Sequence, residues 1–302
     1  MITVVVPTIR ADQYAEFLKA WELYFKKHDV RVVTVWDGDE PVITDGVVRL
    51  TSKEILGDDA DLIYHRTDAC RNLGFAYVAK YLPKASHIIT LDDDTRPDHN
   101  HDAIAEHLRV LGSMVPVSWL SSVGWGVPYM RGFPYGCREE ATVTVSHGVW
   151  TGIPDMDAKT QQAHPEMTDF QGPFYVGPVP RGIQLPFCGM NVGFTREALP
   201  WMYYAPMGPR TGYHRWADIL LGMSLTNELP ANMARFSGAS VVRHDRASNL
   251  ERNLEQEALS VPLGEAVALS GRVSREHIEY AAQYTVSKFR WFNWINTQLC
   301  NS

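Results

Sequence analysis

Residues 86–98 read SHIITLDDDTRPD. Four apolar or β-branched residues, Ile88 to Leu91, run straight into three carboxylates, Asp92, Asp93 and Asp94. The run predicts a buried strand whose C-terminal end opens into an acidic site, and open α/β sheets bind ligands just beyond the carboxyl ends of their strands. Hard divalent cations prefer oxygen ligands, commonly one or two carboxylates plus substrate phosphates. A strand that ends in three aspartates therefore points to a metal carrying a nucleotide diphosphate. Taken alone, the triplet also reads as a solvated acidic turn, or as the N-cap of a helix at 101–111. A calcium EF-hand loop is disfavoured, because Pro97 stands where that loop needs its turn glycine.

The residues before this strand set its surroundings. Ile2–Val6 is a β-branched run closed by Pro7-Thr8, which predicts a first strand in a buried parallel sheet. Tyr14, Phe17, Leu18, Trp21 and Phe25 recur at helical spacing over 12–27. Val30–Val35 predicts a second strand, ending in Trp36-Asp37-Gly38-Asp39. Asp37 there either accepts hydrogen bonds from a base or ribose, or closes a turn before Gly38. Residues 66–82 predict a helix with Asp68 and Arg71 in its first turn. Strands alternating with helices in this way predict an α/β fold with a doubly wound, mostly parallel sheet. The turn after strand 1 is PTIRAD rather than a glycine-rich G-x-G-x-x-G, and Gly124-x-Gly126 follows no βα unit. A flavin or nicotinamide cofactor is unsupported.

Downstream, residues 119–190 are dense in Gly, Pro and aromatics, and a long irregular stretch in a compact domain usually serves function. Val192-Gly193-Phe194 predicts a strand, 216–229 a helix with Asp218 in its first turn, and Ser240–Arg243 a short strand with His244 at its end. From about 274 the chain reads as helical, with Ser274 as N-cap. Its aromatic stripe (Tyr280, Tyr284, Phe289, Trp291, Phe292, Trp294) is expected to pack on its own domain, with a homo-oligomer contact as second choice and a membrane surface third.

Composition narrows the function classes. The 302 residues are 45% hydrophobic and 21% charged, which is ordinary globular composition. A net charge of −7 leaves no basic footprint for nucleic acid. An acidic protein acting on an anionic nucleotide needs cations to offset repulsion, which again favours a metal. No early stretch is long enough to span a membrane, and MITVVVPTIR lacks the features of a signal peptide. The four cysteines are scattered without a CxxC, so they are expected to be reduced thiols of a cytoplasmic protein.

Eight segments together resemble the reversibly glycosylated polypeptide family of plants, whose members include UDP-arabinopyranose mutases. They are VVPTIR at 5–10, WDGDEP at 36–41, DACRNLGFAYVAK at 68–80, ITLDDD at 89–94, RGFPYGCREEATVTVSHGVWTGIPDMDAKTQ at 131–161, FCGMNVGFTREAL at 187–199, ADILLGM at 217–223 and RHDRASN at 243–249. The similarity is collinear from about residue 2 to residue 257. It implies a GT-A-like nucleotide-sugar domain over 1–257, with 258–302 as a helical extension packed on it. It further implies a UDP-sugar substrate and a divalent ion, Mn²⁺ or else Mg²⁺.

By the same resemblance Asp92, Asp94 and His244 would hold the metal, and an imidazole beside carboxylates suits Mn²⁺. Pro7, Thr8, Arg10, Asp37, Asp39, Arg71, Asp92 and Asp93 would contact the nucleotide. Arg138 matches the arginine that plant members glycosylate on themselves; an arginine gripping the diphosphate would look the same. Asp218 matches the second acid of a family Asp-Asp pair whose first member is here Ala217, and Gly136 and Cys137 also depart from the family's usual residues. Asp218 and Asp157 are candidates for an electron-rich cage around the sugar. Three functions follow in order: a mutase exchanging pyranose and furanose rings of a UDP-pentose, a glycosyltransferase on the same scaffold, and a non-catalytic partner of an active homologue.

Overall fold

The computed structural model describes residues 1–38, 40–122, 126–127, 129–269 and 275–301. Asp39, Gly124 and Ser274 lie outside the described residues. The chain opens with β1 (Ile2–Thr8), α1 (Ala11–Lys27) and β2 (Val30–Trp36), followed by a hairpin of β3 (Val42–Thr44) and β4 (Arg49–Thr51) and a short helix α2 (Ser52–Leu56). A 3-10 turn over Asp68–Arg71 leads into α3 (Asn72–Tyr81), and β5 (His87–Leu91) carries the acidic triplet at its end. β6 (Thr95–Pro97), α4 (Ala103–Val110) and β7 (Met114–Pro116) precede the long strand β8 (Glu140–Gly152). Then come α5 (Ala158–Ala163), β9 (Gly177–Val179), β10 (Asn191–Thr195), α6 (Ala217–Glu228), β11 (Met233–His244), α7 (Leu250–Leu269) and α8 (Arg275–Cys300).

All described strands join one sheet in the order β4-β3-β2-β1-β5-β10-β8-β11-β6, with β7 on β8 and β9 on β11. β2, β1 and β5 run parallel, as the opening βα alternation predicts. Beyond β5 the sheet is mixed: β10 is antiparallel to both β5 and β8, while β8 and β11 are parallel to each other.

Period-two alternation sorts the core into layers. On β1, Val4 and Val6 face α1, where Phe17, Trp21 and Phe25 bury one face of the helix. Val5 faces the opposite way, against α3. α3 lies so close to the sheet that a Cβ on Gly74 would stand 2.4 Å from Val5 Cγ1. On the same face α8 buries Tyr280, Tyr284, Trp291 and Ile295, so its aromatic stripe packs on its own domain, and Phe289 is left exposed.

Three elements depart from the expectations. The helix expected over 66–82 is α-helical only from Asn72, because Asp37 pins the backbone N–H groups of Arg66 and Thr67 and Arg66 adopts a left-handed φ of 56°. The stretch 119–190, expected to be irregular, contains β8, thirteen residues long and central to the sheet. The short strand expected at 240–243 is the end of the twelve-residue β11. The division expected at 257/258 falls inside α7. Among the described residues, no helix is long and apolar enough to cross a membrane.

Candidate active site

β1, β2 and β5 deliver Thr8, Asp37 and the acidic triplet to one end of the sheet, and each acid is held differently. Asp93 is buried; it accepts the Thr8 hydroxyl at 2.6 Å and is clasped by the Arg10 guanidinium. Asp92 pairs with Arg71 at 2.8 Å. Arg71 is itself buried, and its other donors reach the Asp68 carbonyl, Thr90 and the Gly189 carbonyl, so it cannot swing away without leaving several buried acceptors unpaired. Asp94 faces Arg10 at 3.5 Å and Arg246 at 3.4 Å. Burial, then the nearby Asp92 charge, pushes its carboxyl up to about 6.

His244 reaches this acid through strand register. The chain reverses at the triplet, braced by Thr95 donating to the Asp92 carbonyl, and β6 pairs with β11 so that Thr95 lies opposite His244. His244 Nδ1 lies 2.7 Å from the Ile153 carbonyl. That contact fixes the proton on Nδ1 and leaves the Nε2 lone pair as the free ligand atom. Asp94 and His244 line the same cavity wall, while Asp92 is turned onto Arg71. Among the described residues, no three His, Cys, Asp or Glu side chains converge closely enough to hold a metal by themselves. The donors fit a divalent ion held by Asp94 and His244 and completed by substrate oxygens, since a buried carboxyl pressed by neighbouring acids is relieved by a cation.

Two hollows meet at this point. A groove of about 290 Å³ is lined by Pro7, Thr8, Arg10, Asp37 and the triplet. A cavity of about 640 Å³ lies beyond, walled by Trp150, Cys188, Trp216, Asp218 and residues of α7. Thr67, Asp68, Arg71, Asp92, Asp94 and Arg246 line both. Cations and acids thus crowd the junction of the two hollows.

In the cavity Asp218 accepts the Gly189 N–H at 2.7 Å, and burial followed by the charge of Asp68 pushes its carboxyl up to about 8. Burial raises Asp68 as well. Asp218 therefore holds a proton at neutral pH next to a second acid, the arrangement general acid–base chemistry uses. His147 is stacked on Phe187 and accepts the Cys188 N–H at 3.0 Å; burial lowers it to about 4, so it stays neutral.

Three expected site residues have other duties. Asp37 lines the groove, but its two oxygens accept the backbone N–H groups of Arg66 (2.7 Å) and Thr67 (3.0 Å), and burial pushes it up to about 6. It braces the groove wall. Asp157 lines the cavity as the N-cap of α5, with both oxygens taken by Thr160. Arg138 is not brought to the cavity at all. It is exposed, stacked over Tyr129 and Tyr135, and precedes the far end of β8, roughly 40 Å along the strand from Gly152, which pairs with His244. The residues that the sequence reading did not single out are Arg246, Arg215, His147 and Glu257. Arg246 had a signal, lying within RHDRASN; Glu257 had none, because its partners are distant in sequence.

A family model described as reversibly glycosylated polypeptide matches residues 1–270. UDP-arabinopyranose mutase 1 of Oryza sativa subsp. japonica is 30% identical over 278 residues, covering 85% of this chain and 73% of its own. UDP-arabinopyranose mutase 3 of Arabidopsis thaliana is 30% identical over 279 residues with the same coverages. A crystal structure described as A197 from STIV aligns over 78% of this chain and 81% of its own with a TM-score of 0.32 and 10% identity, a likeness too slight to define the fold.

Proposed function

This chain belongs to the reversibly glycosylated polypeptide family, and from that premise we propose that it is a UDP-arabinopyranose mutase interconverting UDP-L-arabinopyranose and UDP-L-arabinofuranose without a flavin. The observation that carries this reading is the junction of groove and cavity at Arg71, Asp92, Asp94 and Arg246, which suits a diphosphate with a nucleoside on one side and a sugar on the other. In the exchange the C1–O bond to the diphosphate breaks and its electron pair stays on the phosphate oxygen. The sugar's O4 then takes over C1 from O5, and the bond to the diphosphate re-forms. The net proton movement is from O4 to O5. Asp218, protonated at neutral pH, supplies a proton to one ring oxygen while Asp68, its neighbour, receives the other. Arg71 and Arg246 face the departing diphosphate. Residues 186–190 and α7 line the cavity where the activated sugar would lie, and hydrolysis is the competing reaction that a filled site has to exclude.

Mn²⁺, with Mg²⁺ as the alternative, would be held by Asp94 and His244 and would offset the charge on the leaving diphosphate. A cytoplasmic setting belongs to the same reading. The end of β1 at Pro7-Thr8 and the Ile9-Arg10 bend that follows it also support the flavin-free route, since a dinucleotide site there would need glycines. A second reading is a UDP-sugar glycosyltransferase, favoured by a cavity whose 640 Å³ has room for more than one pentose.

Chromatography of UDP-arabinopyranose after incubation with the protein, with Mn²⁺ and with EDTA, tests both. A furanose peak that reaches a fixed ratio from either side, and disappears with EDTA, is the expected result. Free UDP with sugar transferred to protein or glycan, and no furanose, would replace the mutase with the transferase.

A further inference from the structure

Arg215 lines the cavity in a left-handed backbone conformation, φ 65°, which a non-glycine residue holds only when its surroundings over-determine it. The restraints come from α7. Arg215 Nε donates to Glu257 Oε1 at 2.8 Å and Nη1 to Asn253 Oδ1 at 3.0 Å, while the neighbouring His214 N–H donates to Ser260 Oγ at 2.9 Å. Glu257 is buried, and its second oxygen accepts the N–H of Ala158, the first residue of α5, at 2.7 Å. One carboxylate therefore fastens two walls of the cavity to each other. Nη2 of Arg215 has no hydrogen bond among the described residues. Arg215 and Glu257 line the large cavity, and neither lines the groove beside Pro7 and Asp37.

We infer that Arg215 is a sugar-side binding residue, donating from Nη2 to an oxygen of the bound sugar, and that Glu257 is the positioning residue that aims it. The inference rests on the UDP-sugar reading above and deepens it: the recognition of the sugar, as distinct from the nucleotide, depends on α7. A guanidinium held at two of its three nitrogens loses little freedom on binding, which is what makes such a donor discriminating.

The test compares UDP and UDP-arabinopyranose binding by isothermal titration calorimetry in the full chain, for wild type, Arg215→Lys, Glu257→Gln and the double variant. The amide introduced by Glu257→Gln keeps one acceptor oxygen for the two donors that the carboxylate serves. Each single variant is expected to weaken UDP-arabinopyranose about tenfold, and to leave UDP within about twofold of wild type. The double variant is expected to be no weaker than the weaker single, because the two residues act as one unit. A Glu257→Gln protein with wild-type sugar-nucleotide affinity overturns the inference, as does equal loss of UDP and UDP-arabinopyranose. If Glu257→Gln does not fold, the Arg215→Lys split decides by the same criterion. A wild-type protein that binds UDP-arabinopyranose no more tightly than UDP leaves nothing for Arg215 to hold, and also overturns it. Tight sugar-dependent binding without any furanose product would sink the mutase reading alone.

Discussion

Asp218 accepts the Gly189 N–H, yet burial and Asp68 outweigh that bond and keep its carboxyl protonated up to about pH 8. Its folded value stands above the unfolded value of 3.8, so between those limits the folded state binds a proton that the unfolded chain releases, and stability falls as pH rises through that window. Asp218→Asn imitates the neutral acid but cannot hand over a proton. It is expected to flatten the loss of thermal stability between about pH 5 and 8, and to lower kcat by about 10²–10⁴-fold with KM little changed. Wild-type turnover in this variant would remove Asp218 from the chemistry. The aspartates of the triplet are expected to separate from one another in the same way. Asp94→Ala should abolish the Mn²⁺-dependent part of UDP binding, read as the difference between titrations with Mn²⁺ and with EDTA, and leave the fold intact. Asp93→Ala strips the partner from Thr8 and Arg10 at a buried position and should destabilise by about 1–3 kcal/mol in urea titrations. Equal stability of the two variants would contradict the division of labour between these neighbours.

At the scale of elements, α3 is seated closely on β1 and β2. A methyl on Gly74 would meet Val5 Cγ1 at 2.4 Å and Val35 Cγ2 at 3.1 Å, both on stiff, buried side chains. Overpacking of this kind costs about 1–3 kcal/mol, against about 1 kcal/mol gained from alanine's helix propensity. Gly74→Ala is therefore expected to lower stability by a net of up to about 2 kcal/mol, and a stabilised variant would show that α3 can lift from the sheet without penalty. β5 and its acids were legible because an apolar run meeting three aspartates states both the strand and its end. β8 was not. Its Ser146 and His147 break the apolar pattern, and only the fold reveals that Ser146 is satisfied inside the sheet. There His107 takes Ser146 and Asn191 as partners, and Asn191 in turn donates to the Val149 and Ser240 carbonyls. The same cluster explains Gly148, where a Cβ would stand 2.1 Å from the Asn191 amide. α7 was illegible as part of the site for a different reason: Glu257 meets Arg215 across 42 residues, and no local periodicity encodes such a pairing.

For the molecule as a whole, the buried histidines and the buried acids pull stability in opposite directions with pH. Burial lowers His107 and His147 to about 4, so between pH 6.5 and 4 the unfolded chain takes up protons that the folded state refuses. Stability from these two groups is lost as pH falls through that window, by on the order of 3 kcal/mol each at most. Asp37 and Asp94, raised to about 6, and Asp218, raised to about 8, contribute the reverse slope over the same range. The wild-type profile is consequently expected to be shallow, and a shallow profile alone decides nothing. The informative quantity is the difference between wild type and His107→Gln, whose amide can still pair with Ser146 and Asn191 but cannot take up a proton. That difference, from urea unfolding at pH 7 and at pH 5, should shift in favour of the variant at pH 5 as the wild-type histidine is pressed to ionise. A difference that stays constant between the two pH values would mean that His107 takes up its proton in the folded state as readily as in the unfolded chain, and a shift in favour of wild type at pH 5 would mean that it is already charged in the folded state. The polar cluster joining α4, β8, β10 and β11 would then not be the closed, neutral network that keeps the cavity's floor in register with the acids of β5.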